Sequence, residues 1–187
     1  MSKKQPELRM YFLVQYNISP IQQGIQALHA CVEYQQKYGN TVEYKTWAKK
    51  HKTVILLNGG TSNDGLGFFY GNNQQLGTME MHLIDLEKNK IKCAAFYEPD
   101  LNYCCSAIAF LVPETVYNKK DYPDFEQLDN WDNRYKVHII KKPLANRDEK
   151  EREIWEKNRP KRYNDYVKEF GKDVAFLKDF LKPFRLA

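Results

Sequence analysis

A chain of 187 residues with 42% hydrophobic and 14% aromatic content can bury one sizeable core, as one domain with an extension. No stretch approaches the roughly 18–20 apolar residues of a membrane span, and MSKKQPELRM at the N-terminus lacks a signal-peptide core, so a soluble cytoplasmic protein is expected. The net charge of +5 is uneven: Arg134–Ala187 carries 16 Lys+Arg against 9 Asp+Glu (+7), and Met1–Asn133 carries 13 against 15 (−2).

The apolar, aromatic run LRMYFLVQ (Leu8–Gln15) reads as a buried strand. Asn17-Ile18-Ser19-Pro20 then turns into a helix, with Ser19 as N-cap and Pro20 where its missing N–H costs nothing. That helix runs to about Tyr38 and stops at Gly39-Asn40. Within it Ile21, Ile25, Leu28 and Val32 form one apolar stripe, expected to be core. Gly24, Ala27 and Cys31 form a small-residue seam for close packing or ligand approach, and Gln22, Gln26, His29 and Glu33 share a third, polar face.

Thr41–Lys50 reads as a short amphipathic helix carrying Trp47, and KTVILLN (Lys52–Asn58) as a second buried strand. The Gly/Asn-rich stretch from Gly59 to about Gln75 reads as a long loop whose Phe68, Phe69 and Tyr70 form either a stacking lid or a hydrophobic pin. Leu76–Lys88 has helical spacing of Met79, Leu83 and Leu86, although MEMHLID also permits a strand. Ile91–Tyr97 and Cys105–Pro113 complete four strands.

After Pro113 a polar, aromatic stretch carries a short helix around Asp124–Asp129, an edge strand at Tyr135–Lys142, and two helices broken near Pro160 and Pro183. Tyr166, Phe170, Val174, Leu177 and Leu181 form an apolar stripe on the second of these helices. The element order predicts an α/β protein. It has a small mixed four-stranded sheet flanked by helices over residues 1–113, and an α-rich, basic C-terminal extension over 114–187 packed on it.

The four cysteines (31, 93, 104 and 105) contain no CxxC pair and read as reduced, mostly buried thiols. His29, His51, His82 and His138 lack ligand spacing, so no metal and no cofactor is expected. No GxGxxG, GxxxxGK[ST] or GxSxG occurs, which leaves no support for those phosphate loops or for a nucleophile elbow. What remains is the polar helix face and FYEPDLNYCCSAIAF (Phe96–Phe110), where Glu98 and Asp100 stand at the C-terminal end of a strand, the usual ligand edge of an open α/β sheet. Their structural alternative is an acidic turn cap.

MYFLVQYN followed by GIQALHACVEY resembles the opening of the class-2 (archaeal and eukaryotic type) peptidyl-tRNA hydrolases, whose helix carries a Gln-x-x-His-Ala signature, here Gln26 to Ala30. KTVILLN looks like the family's second strand, and FYEPDLNYCCSAIAFLVP resembles its acidic segment, so the likeness spans roughly Leu8–Pro113. The resemblance implies metal-independent hydrolysis of the ester joining a peptide to the 3′ end of tRNA. It places the functional glutamine at Gln26, the carboxylate at Glu98 or at Asp100, and a hydroxyl at Ser106. The helix-start lysine of the family falls at Gln22, a neutral amide, and Asn102 lies near one expected threonine.

Three readings follow. In the first, the protein is an ester hydrolase with Gln26, Glu98, Asp100 and Ser106 at the reaction. Gln22, His29, Asn102, Phe69 and Tyr70 then bind substrate, and the basic tail lies on the tRNA backbone. In the second, it is a non-catalytic binder of tRNA or a smaller nucleotide in the same cleft. In the third, the C-terminal helices make it a protein-interaction module, and a homodimer is left open.

Overall fold

The computed structural model describes residues 6–62, 76–124 and 163–187. Four strands, β1 (Leu8–Gln15), β2 (Val54–Gly60), β3 (Cys93–Glu98) and β4 (Cys104–Pro113), form one sheet in the order β2-β1-β4-β3. β1 pairs parallel with β2 and antiparallel with β4, which also pairs antiparallel with β3. The sheet is therefore mixed, as the order of apolar runs predicts. The C-terminal ends of β1, β2 and β3 share one edge with the start of β4.

β1 is apolar from Met10 to Val14 because both of its faces are covered there. Met10, Phe12 and Val14 face α1 (Pro20–Tyr38), whose Ala27, Ala30 and Tyr34 meet them together with Trp47 and Ala94, Ala107 and Ala109 of the sheet. Tyr11 and Leu13 face the other side, where Met79, Leu83 and Leu86 of α3 (Thr78–Lys88) pack with Ile108 and Phe110. α3 resolves the ambiguity of MEMHLID in favour of the helix.

Local chemistry sets the ends of α1. Ser19 accepts from the Gln22 backbone N–H, Gln22 returns its side-chain oxygen to the Ser19 N–H, and Pro20 takes the first position, a capping box. After α2 (Val42–Thr46) the chain widens into a π-helical turn over Trp47–His51, closed by the Lys52 N–H donating to the Trp47 carbonyl, with Lys52 left-handed at φ 55°. The Trp47 indole donates to the Thr53 carbonyl over 2.9 Å and ties this turn to the start of β2.

One expectation for α1 is reversed. Ile21, Ile25, Leu28 and Val32 are exposed, while the face against the sheet carries Gln23, Gln26, Ala27, Ala30 and Tyr34. Alanines allow a helix to approach the alanine-rich patch of β3 and β4 closely, and the two glutamines are buried because each finds a hydrogen-bond partner. Gly24 is exposed as well, with nothing within 4 Å of an added Cβ, so its own chain gives no packing reason for it.

Beyond the short helix α4 (Glu114–Tyr117), the chain is described again from α5 (Tyr163–Phe170) and α6 (Lys172–Phe180). The single apolar helix expected here is divided at Gly171, whose φ of 96° an L side chain rarely adopts. Tyr166, Val174 and Leu177 nevertheless join the core beside α3, and the Lys178 ammonium donates to the Val116 carbonyl. The last residues run along β2, where Asn58 donates to the Arg185 carbonyl and Ala187 to the Leu56 carbonyl, covering an otherwise open sheet edge. The expected helix over 124–129 (beyond Asp124), the edge strand at Tyr135–Lys142 and the helix ending near Pro160 lie outside the described residues.

Candidate functional site

Three polar side chains from three elements meet at the shared sheet edge. Gln26 of α1 donates from Nε2 to Glu98 Oε2 over 2.6 Å and accepts on Oε1 from the Ser106 hydroxyl over 2.7 Å. Gln26 and Ser106 are buried, and Glu98, the last residue of β3, is half-buried.

A bulge aims Ser106. Opposite the consecutive pair Phe96 and Tyr97 of β3, β4 presents Ala107 and Cys105, with Ser106 as the extra residue between them. Cys105 faces α3 while Ala107 faces α1, and Ser106 joins Ala107 on the α1 side, where it reaches Gln26. Strict alternation back from Ala109 and Ala107, which face α1, would instead have sent Ser106 to the α3 face.

Glu98 is placed by the turn that follows it. Its Oε1 accepts from the Asp100 backbone N–H at 3.4 Å, capping the 3₁₀ turn Pro99–Leu101. Asn102 and Tyr103 are both left-handed, at φ 52° and 55°, and the Tyr103 N–H donates to the Glu98 carbonyl over 2.9 Å. Asparagine tolerates that region, whereas a bulky tyrosine there is unusual and signals a turn held by its surroundings.

The structure thus separates the two candidate carboxylates. Glu98 meets Gln26, while Asp100 is exposed on the turn and meets the cluster only through its backbone. Gln22 is exposed, and its amide oxygen is committed to Ser19 in the capping box. The His29 ring, also exposed, stacks on Phe96 at 4.5 Å and 18°, a flat platform two residues before Glu98. Asn102 is exposed beside the cluster, and Phe68, Phe69 and Tyr70 lie outside the described residues.

Two residues not foreseen complete the frame. Gln23 donates to the Gln15 carbonyl over 3.0 Å, and Gln15 donates to the Cys105 carbonyl over 3.2 Å, so α1, β1 and the bulged start of β4 are joined by buried amides. The available signal was polarity out of place: Gln15 ends the apolar run YFLVQ, and Gln23 interrupts a helix face of small residues. On the α3 side of the same edge, the Ser62 hydroxyl bonds the buried Glu80 carboxylate and accepts from the Cys105 N–H over 3.0 Å.

The four thiols are unbridged. Burial raises all of them, Cys93 to about 12, with Cys105 higher still under the added influence of Glu80. None is held as a ready thiolate, and among the described residues no group of three His, Cys, Asp or Glu could hold a metal ion. A separate cavity of about 300 Å³ opens at the end of β2, lined in part by Asn58, Thr78, His82 and Arg185.

Chemically, the three residues differ in what they can do. Ser106 is fully buried and its hydroxyl donates to an amide oxygen, which is no base, so this contact orients Gln26 and does not itself activate the hydroxyl for attack. Gln26, held at both ends, fixes one carboxylate oxygen. Glu98 alone combines partial exposure with a group able to accept a proton. The chain matches no protein-family model and no curated protein.

Proposed function

We propose that this protein is a peptidyl-tRNA hydrolase-like enzyme that binds tRNA at the Gln26–Glu98 edge and hydrolyses the ester linking a peptidyl or aminoacyl group to the tRNA 3′ end. The observation that carries this reading is the hydrogen-bonded row Ser106–Gln26–Glu98. It joins the residue types that the family resemblance implies at one ligand-binding sheet edge.

In this reading Glu98 takes a proton from a water as that water adds to the ester carbonyl. The tetrahedral intermediate then expels the 3′ oxygen, which recovers the proton, and the products are a free carboxylic acid and a tRNA hydroxyl. Gln26 keeps the carboxylate turned toward the water, and the His29–Phe96 pair offers a stacking surface for a terminal base. The excess of seven positive charges over Arg134–Ala187 suits a phosphate backbone.

Gln22 favours a second reading, tRNA or nucleotide binding without turnover. A neutral amide stands where the family has a lysine, and its oxygen is spent on Ser19. Losing one preorganised donor of this kind costs roughly 10²–10³ in rate.

Incubation of the full chain with peptidyl-tRNA decides between them. Turnover that Glu98→Gln abolishes supports the hydrolase. Salt-sensitive tRNA binding without turnover moves the assignment to the binding protein, and the absence of both overturns the proposal.

A further inference from the structure

The exposed stripe on α1 is the largest departure from what its residues predict. Ile21, Ile25, Leu28 and Val32 are 79, 48, 65 and 45% exposed, although together they would form an ordinary core face. They make a continuous patch on the order of a few hundred Å², the size at which exposed apolar surface is commonly an interaction site.

Three observations point to one occupant. First, the spacing of the stripe is four, three, four, which reads the same in both directions. An antiparallel copy centred between Ile25 and Leu28 therefore brings Ile25 against Leu28 and Ile21 against Val32, on both sides of a two-fold axis. Second, α1 carries no carboxylate, lysine or arginine from Pro20 to Val32, so two such faces meet without like-charge repulsion, and nothing on the stripe would attract a charged partner. Third, Gly24 borders the stripe with open space around it, and a missing Cβ there lets another backbone come close, the packing reason that its own chain does not supply.

We infer that the Ile21/Ile25/Leu28/Val32 face of α1 is a homodimer interface, occupied by the same face of a second copy in antiparallel register. Ridges of residues four apart, Ile21–Ile25 and Leu28–Val32, interlock across the axis. Each copy contributes on the order of a few hundred Å², below the roughly 800 Å² per partner of a standard interface, so the association is weak and reversible. The interface stands independently of the hydrolase reading, since it uses none of Gln26, Glu98 or Ser106.

The test is sedimentation equilibrium of the full chain across the micromolar range, with Leu28→Glu and Ile21→Lys beside the wild type. The expected result is a concentration-dependent dimer that each variant weakens about tenfold or more, with unchanged circular dichroism because both side chains already face solvent. In a Cys31→Ser background, oxidation of mixed Ile25→Cys and Leu28→Cys chains should give the Ile25–Leu28 cross-link in preference to either self-pair. A wild type that stays monomeric throughout, or a dimer that survives both charged variants, overturns the inference. Preferential self-pairing of Ile25→Cys chains overturns the register.

Discussion

Gln26 and Glu98 stand 72 residues apart in sequence and 2.6 Å apart in the fold, amide nitrogen to carboxylate oxygen. The bond is charge-assisted and one end of it is buried, so it orients the carboxylate more strongly than an exposed pair would.

Glu98→Gln keeps the shape and removes the proposed base. Hydrolysis of peptidyl-tRNA by this variant should fall by about 10²–10⁴ with tRNA affinity little changed, as separate turnover and filter-binding measurements would show. A variant that retains wild-type turnover would exclude Glu98 as the base.

Ser106→Ala strands the buried Oε1 of Gln26 without its donor. Denaturant unfolding should show a loss of about 1–3 kcal/mol, and Ser106→Thr, which restores the hydroxyl, should recover most of it. Equal losses in the two variants would mean that packing matters here more than the hydrogen bond.

His82 supplies a pH dependence. Burial between Phe180 and Phe184 lowers its pKa below 6.5, opposed by Asp85. The unfolded chain then binds this proton more readily than the folded one, so stability declines as pH falls through 6.5 and levels off below the folded pKa. Melting curves from pH 7.5 downward should show the decline in wild type, and His82→Gln should flatten it. An unchanged slope would remove His82 as its source.

Alkylation of the native protein should reach Cys31 first. It is half-buried, whereas Cys105 is fully buried with a thiol raised furthest above its ordinary value. Mass spectrometry after brief iodoacetamide treatment at mildly alkaline pH should find Cys31 modified well ahead of Cys93, Cys104 and Cys105. Faster labelling at Cys105 would mean that the start of β4 opens readily.

Gly171 holds a φ of 96° between α5 and α6. Gly171→Ala should destabilise the protein by about 1–2 kcal/mol, read from the denaturant midpoint at constant slope. An unaffected midpoint would show that the junction relaxes without cost.

Local chemistry made much of the frame legible. β1 was readable from its apolar run Met10–Val14, α1 from Ser19, Pro20 and the Gly39 stop, and the α/β class from the alternation of elements. Gln26, Glu98 and Ser106 were identifiable as candidates by residue type and resemblance. The choice of Glu98 over Asp100 was not, because it depends on the 3₁₀ turn at Pro99 and on where α1 crosses β3.

Sequence alone determined which residues of α1 share a face, since a period of 3.6 residues fixes their angular relation. It did not determine which face meets the sheet. Hydropathy favoured Ile21, Ile25, Leu28 and Val32, but the sheet presents Ala94, Ala107 and Ala109 with a bulged Ser106, a surface that small alanines approach closely and to which glutamines can bond. Close packing and hydrogen-bond satisfaction are properties of two surfaces together, so only the tertiary structure could turn the glutamine face inward and leave the apolar stripe in solvent.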